Sequence, residues 1–101
     1  MYKRQDLTAL FCDDDVLASG VYLAARRLGR RIPGDLSVVG FDDLDVARVL
    51  DPPLTTVTAD AGELGRVAFE LLAARLAGHR PASRVLEVGL TVRGSTAPPP
   101  A

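Results

Sequence analysis

Two aspartate groups carry most of the chemistry available to this chain. Asp13-Asp14-Asp15 follows the apolar run Leu7-Thr8-Ala9-Leu10-Phe11-Cys12, and Asp42-Asp43 follows Leu36-Ser37-Val38-Val39-Gly40-Phe41. Carboxylates converging at one place suit two tasks. They accept hydrogen bonds from the hydroxyl or N–H groups of a small polar ligand, or they hold Mg²⁺ for phosphoryl chemistry. The bland alternatives are local: one Asp capping a helix with its neighbours favouring the dipole, and an Asx turn at Asp42-Asp43. Capping does not use three carboxylates.

Other chemistries find less support. The only histidine, His79, follows a glycine beside Arg80 and Pro81 and reads as a solvated residue past a helix end. Cys12 ends an apolar run and reads as a core residue with no histidine placed to activate it. No Ser-His-Asp or Cys-His constellation can be assembled, so no catalytic residue is assigned. No Gly-x-Gly-x-x-Gly or Gly-Lys-Ser/Thr motif cradles a phosphate. The only lysine is Lys3, far from the late strand where a phospho-acceptor site wants one. Arg26-Arg27-Arg30-Arg31 is the best basic cluster, but no aromatics interleave it and it reads as a solvated helix end.

The elements that position the aspartates alternate. Each apolar run above is of buried-strand length. From Asp14 to about Arg30 the period becomes helical, with Leu17, Gly20, Val21, Ala24, Ala25 and Leu28 on one face. Pro33-Gly34-Asp35 marks a turn. Leu44 to Asp51 predicts two helical turns, Leu54 to Thr58 a third strand after Pro52-Pro53, and Asp60 to Ala77 an amphipathic helix. The apolar face of that helix is Leu64, Val67, Ala68, Leu71, Leu72 and Leu76, with Gly78 as its C′ residue. Arg84 to Val92 predicts one or two last strands. This order predicts an α/β chain, a mainly parallel sheet with flanking helices. In such sheets ligands bind beyond the carboxyl ends of the strands, where both aspartate groups then lie.

Composition narrows the classes. The chain has 101 residues, 12 Lys+Arg against 13 Asp+Glu, and 48% hydrophobic residues. This is one small domain, able to hold one core with little surplus stability. The near-neutral balance argues against an overall electrostatic grip on nucleic acid or an anionic membrane. Aromatics at 5% argue against stacking platforms for single strands. One cysteine excludes a disulfide framework and a multi-Cys zinc site. The lack of a bilayer-length apolar run and of a secretory segment after Met1 predicts a cytoplasmic chain with no membrane partner.

Linked motifs then resemble a known family. Thr8-Ala9-Leu10-Phe11-Cys12-Asp13-Asp14-Asp15-Val16-Leu17-Ala18-Ser19-Gly20 resembles the T-A-[IL]-[FV]-C-[AS]-N-D-x-[ML]-A-x-G segment of LacI/GalR-type bacterial repressors. Arg31 to Asp43 is similar to their R-[VI]-P-x-D-[VIL]-S-V-[VI]-G-[FY]-D-[DN]. Pro52-Pro53-Leu54-Thr55-Thr56-Val57, Leu64-Gly65 and Val92-Arg93-Gly94-Ser95-Thr96 continue the match in register over residues 8–96.

The resemblance implies the C-terminal part of a periplasmic-binding-protein-like (type I) sensor, in residues 1–96, followed by a disordered tail, 97–101. It implies a sugar-like small-molecule effector, no cofactor, a homodimer, and operator DNA reached only through an N-terminal domain outside the matched segment. Asp42 matches the family aspartate that bonds effector hydroxyl or ring N–H groups. Asp14 falls at a ligand-contacting position that is commonly Asn. Ionised, it only accepts, which implies a different hydroxyl pattern or another ligand class. Ala61 falls where some members stack an aromatic on the ligand, which alanine cannot do. Ser19, Val49 and Leu50 match dimer-interface positions. The helix at 60–77 packs on the first lobe in the family, so its Leu64/Val67/Leu71 face is expected to lack a partner here. The competing expectations are a Mg²⁺-dependent phosphoryl-transfer enzyme, a truncated fragment without function, or a partner-binding module.

Overall fold

A computed structural model describes residues 6–101. Seven elements follow in chain order: β1 (Ala9–Phe11), α1 (Asp15–Arg27), β2 (Ser37–Phe41), α2 (Asp45–Val49), β3 (Thr55–Thr58), α3 (Ala61–Leu76) and β4 (Gly89–Thr91). The four strands form one sheet in the order β1-β2-β3-β4. β1 pairs parallel with β2, Phe11 opposite Val39, and β2 pairs parallel with β3, Phe41 opposite Val57. The predicted α/β architecture and its element order are therefore present.

Two compact units divide the chain. One comprises Met1–Thr58 with Leu90–Ala101, the other Ala59–Gly89. In the first, the core is small: Cys12, Ala18, Val38, Ala47 and Leu54 are buried, with Val21, Tyr22, Ile32, Leu36 and Leu50 packed against them. Cys12 is thus the core residue its position predicts. Ser95 ties the sheet from within, donating to the carbonyl of Val38 at 2.5 Å and accepting the Thr55 N–H at 2.8 Å. Ala97, the first residue of the expected tail, exchanges two hydrogen bonds with the Ser37 hydroxyl.

α1 differs from its predicted form in two ways. It ends at Arg27, because Gly29 at φ 67° takes the left-handed conformation that closes a helix and Arg30 N–H bonds back to Ala25. Its inward face is also partly turned from the predicted one, of which Val21 and Ala25 still pack inward. Asp15, Ala18 and Ala25 are buried and Tyr22 half-buried, whereas Leu17 is exposed and Leu28 is 77% exposed. Small side chains let the helix approach the sheet closely, and the buried carboxylate finds partners there, so bulk apolarity did not decide the face.

In the second unit, α3 is capped by Asp60, whose Oδ1 accepts the Glu63 N–H at 3.0 Å, and closed by Gly78 at φ 88°. Of its predicted apolar face only Val67 is buried and Leu71 half-buried; Leu64, Leu72 and Leu76 are exposed, as is Phe69. Arg84–Val88 form no strand, contrary to expectation. They run beside α3, where Arg84 reaches Glu70 at 3.6 Å, and pair with no other strand.

Candidate functional site

Parallel pairing puts the ends of β1 and β2 at one edge of the sheet, and Asp13, Asp14, Asp42 and Asp43 leave the chain there. The five aspartates of the two groups have separate duties. Asp14 is the N-cap of α1: its Oδ1 accepts the Leu17 N–H at 2.7 Å. Asp15 lies in the first helical turn, fully buried. Its Oδ1 accepts from the Thr56 hydroxyl and its Oδ2 from the Leu44 N–H, both at 2.6 Å. Asp15 therefore ties α1 to β3 and to the loop after β2. Gly40 leaves the space this requires, since a Cβ there would overlap Asp15 Oδ1 and stand 2.8 Å from a Leu54 methyl.

Asp43 is also spoken for. Its Oδ1 meets the Arg93 guanidinium at 2.7 Å, and its Oδ2 faces Arg48 at 3.5 Å. Asp13 and Asp42 remain exposed, and among the described residues neither carboxylate takes a side-chain hydrogen bond. Asp42 holds a φ of 99° and Asp43 one of 53°, conformations that non-glycine residues adopt only under local constraint. Phe11, Cys12, Asp13 and Phe41 line a shallow cavity of about 360 Å³ at this edge, and Phe11 is 69% exposed.

The chemistry on offer is acceptance. Free carboxylate oxygens on Asp13, Asp14 and Asp42 receive hydroxyl or N–H donors, and an exposed aromatic face offers an apolar surface for the C–H side of a small ring. Burial, helped by the nearby Asp14 charge, pushes the Cys12 thiol up and away from thiolate, which disfavours it as a nucleophile. The Mg²⁺ alternative finds no support: Asp15 turns inward, Asp43 pairs with arginine, and among the described residues no three His, Cys, Asp or Glu side chains converge on a point.

Sequence reasoning thus brings Asp14 and Asp42 to one edge. Ala61 lies in the second unit, exposed in the first turn of α3. Ser19 is half-buried on α1, its hydroxyl donating to Val16 O, and Val49, 78% exposed, ends α2, which packs against α1. Leu50 is half-buried against the core. Three participants were missed: the Asp15 tie, the Arg93–Asp43 pair and the Phe11/Phe41 wall. The first two depend on partners 41 and 50 residues away. Phe41 carried one readable signal, an aromatic directly before an acidic strand end, and Phe11 stands two residues before the other.

These observations define an α/β fold with exposed carboxylates at the ends of two parallel strands. The chain belongs to the periplasmic binding protein-like domain family, whose model matches residues 2–96. Its relatives are LacI-type regulators, as the motifs implied. It is 43% identical over 94 residues to the HTH-type transcriptional repressor CytR of Escherichia coli K12, covering 91% of this chain and 28% of that protein. Among solved structures it resembles a transcriptional regulator CelR–cellobiose complex (38% identity, TM-score 0.83, covering 89% of this chain and 28% of that one). It also resembles the lac repressor dimer bound to operator and the anti-inducer ONPF (33% identity, TM-score 0.79, covering 88% and 32%). The chain spans under a third of the length of these proteins, and corresponds to part of a sensor domain.

Proposed function

We propose that this chain is the effector-sensing and dimerising portion of a cytoplasmic LacI-type transcription regulator and performs no catalysis. Asp42 and Asp14 accept hydrogen bonds from a sugar-like effector. Ser19, Val49 and Leu50 belong to the dimer surface. Operator DNA is contacted by a domain that these residues do not include.

The observation that carries this reading is the exposed Asp42 carboxylate on a constrained turn beside Asp14, at the carboxyl edge of parallel strands. The bare Val49 side chain on α2 supports the dimer surface. The test is thermal unfolding of the full natural protein with cellobiose or D-ribose, since a ligand that binds only the folded state raises the melting temperature. The account expects a shift in the wild type that Asp42→Ala abolishes. An undiminished shift in Asp42→Ala, or none with any of a panel of mono- and disaccharides, overturns it.

A further inference from the structure

Asp42 owes its conformation to its surroundings, and the contacts that impose it are specific. Its own N–H donates to Val57 O at 2.9 Å, and the Asp43 N–H donates to the Thr56 hydroxyl at 3.3 Å. These fix where the turn leaves the sheet. The Asp43 side chain is fixed by Arg93. One guanidinium nitrogen donates to Asp43 Oδ1 at 2.7 Å and another to the Leu54 carbonyl at 3.0 Å, while the Arg93 backbone N–H donates to the Thr55 hydroxyl at 2.9 Å. The pair is largely shielded, the two side chains being 17% and 14% exposed. Arg93 is thus anchored to the start of β3 at two points and reaches across to the residue directly after Asp42. Two consecutive residues at positive φ persist only where their surroundings hold them, and Arg93 holds the second by its carboxylate.

We propose that Arg93 is a positioning residue for the effector: its guanidinium clamps Asp43 to β3, and the clamp holds the turn that presents the Asp42 carboxylate to the ligand. Only arginine suits the task. The rigid fork supplies one donor to the carboxylate and one to the carbonyl together, which a lysine ammonium does not reproduce in this geometry. The inference rests on the reading that Asp42 touches the effector.

The decisive measurement is the backbone conformation of Asp42 and Asp43 by NMR chemical shifts and intraresidue HN–Hα couplings in isotopically labelled protein. Arg93→Met removes the clamp from one side and Asp43→Ala from the other. Arg93→Lys is the milder variant should Arg93→Met not fold. The account expects Asp42 to leave the left-handed region in both removals and partly in Arg93→Lys, with the β1–β3 shifts retained. A purely structural arginine lowers the melting temperature but leaves the Asp42 signals in place, and that outcome overturns the proposal.

Cellobiose titration supplies the second readout. Arg93→Met weakens binding by about tenfold or more, the scale of one charge-assisted hydrogen bond, and adds nothing in an Asp42→Ala background. Binding that survives Asp42→Ala refutes the effector role of Asp42 itself, whereas binding lost in Asp42→Ala but kept in Arg93→Met refutes the clamp.

Discussion

Asp15 offers a sharp test of how the fold is held together. The carboxylate is fully buried and takes no ion pair among the described residues; its only compensation is the pair of 2.6 Å hydrogen bonds from Leu44 N–H and the Thr56 hydroxyl. Asp15→Ala strands both donors in the interior. Each stranded donor costs about 1–3 kcal/mol, so the loss should be about 2–6 kcal/mol, a large share of the stability of a domain this small. Asp15→Asn keeps the shape. Its amide oxygen accepts the Leu44 N–H, and its NH₂ donates to the Thr56 oxygen, which has one lone pair left beside the Asp43 N–H. Its cost should be about 1 kcal/mol or less. Urea unfolding followed by circular dichroism measures both, and Thr56→Val, which deletes one partner, serves as the intermediate case. Equal damage from Asn and Ala would mean that the charge matters rather than the hydrogen bonds. An Ala variant within about 0.5 kcal/mol of wild type would refute the tie altogether.

Three further outcomes follow from the same geometry. Gly40→Ala places a Cβ against Asp15 Oδ1 and 2.8 Å from Leu54, two side chains with no room to yield, and should cost about 2–3 kcal/mol in the same unfolding assay. Asp42→Gly relieves the φ of 99° and should stabilise the protein by up to about 1 kcal/mol while removing effector-induced stabilisation, so that melting temperature and binding move oppositely. The Arg31 guanidinium and backbone N–H hold the Asp35 carboxyl below the usual aspartate range. Its contribution is therefore present above the unfolded-state value and is lost as pH falls through the lower folded-state value. Carboxyl ¹³C titration should show that depressed midpoint, and Arg31→Ala should move it back toward the ordinary range but not fully, because the backbone N–H at position 31 still donates.

The order of elements was legible because each signal was local. Apolar runs, the helical period from residue 14, the turn at Pro33-Gly34-Asp35 and the glycine at 78 need no tertiary knowledge. So was the pairing of Asp14 and Asp42 at one edge, since parallel strands place their ends together. What stayed hidden needed the sheet itself. In Asp13-Asp14-Asp15 successive side chains point in different directions around the start of α1, and composition cannot say which one caps, which one is buried and which one is free. The face of α1 followed the same logic: Val21 and Ala25 of the expected face do pack inward, but Leu17 and Leu28 give way to Asp15, Ala18 and Tyr22, because the small residues allow the closer approach. Arg84–Val88 carry strand-like composition, yet a strand exists only where a neighbour supplies partners. Arg93 was readable as part of a motif, but its partner Asp43 stands 50 residues earlier and only the folded chain joins them.

The central claim is that the edge formed by the ends of β1 and β2 receives the effector. Hydrogen–deuterium exchange of the full natural protein, with and without a sugar found to raise its melting temperature, tests it most directly. The account predicts slowed exchange in the segments 12–17 and 41–44, with no such protection in Asp42→Ala. Protection confined to other segments, such as the end of α1 around Leu28, would contradict it.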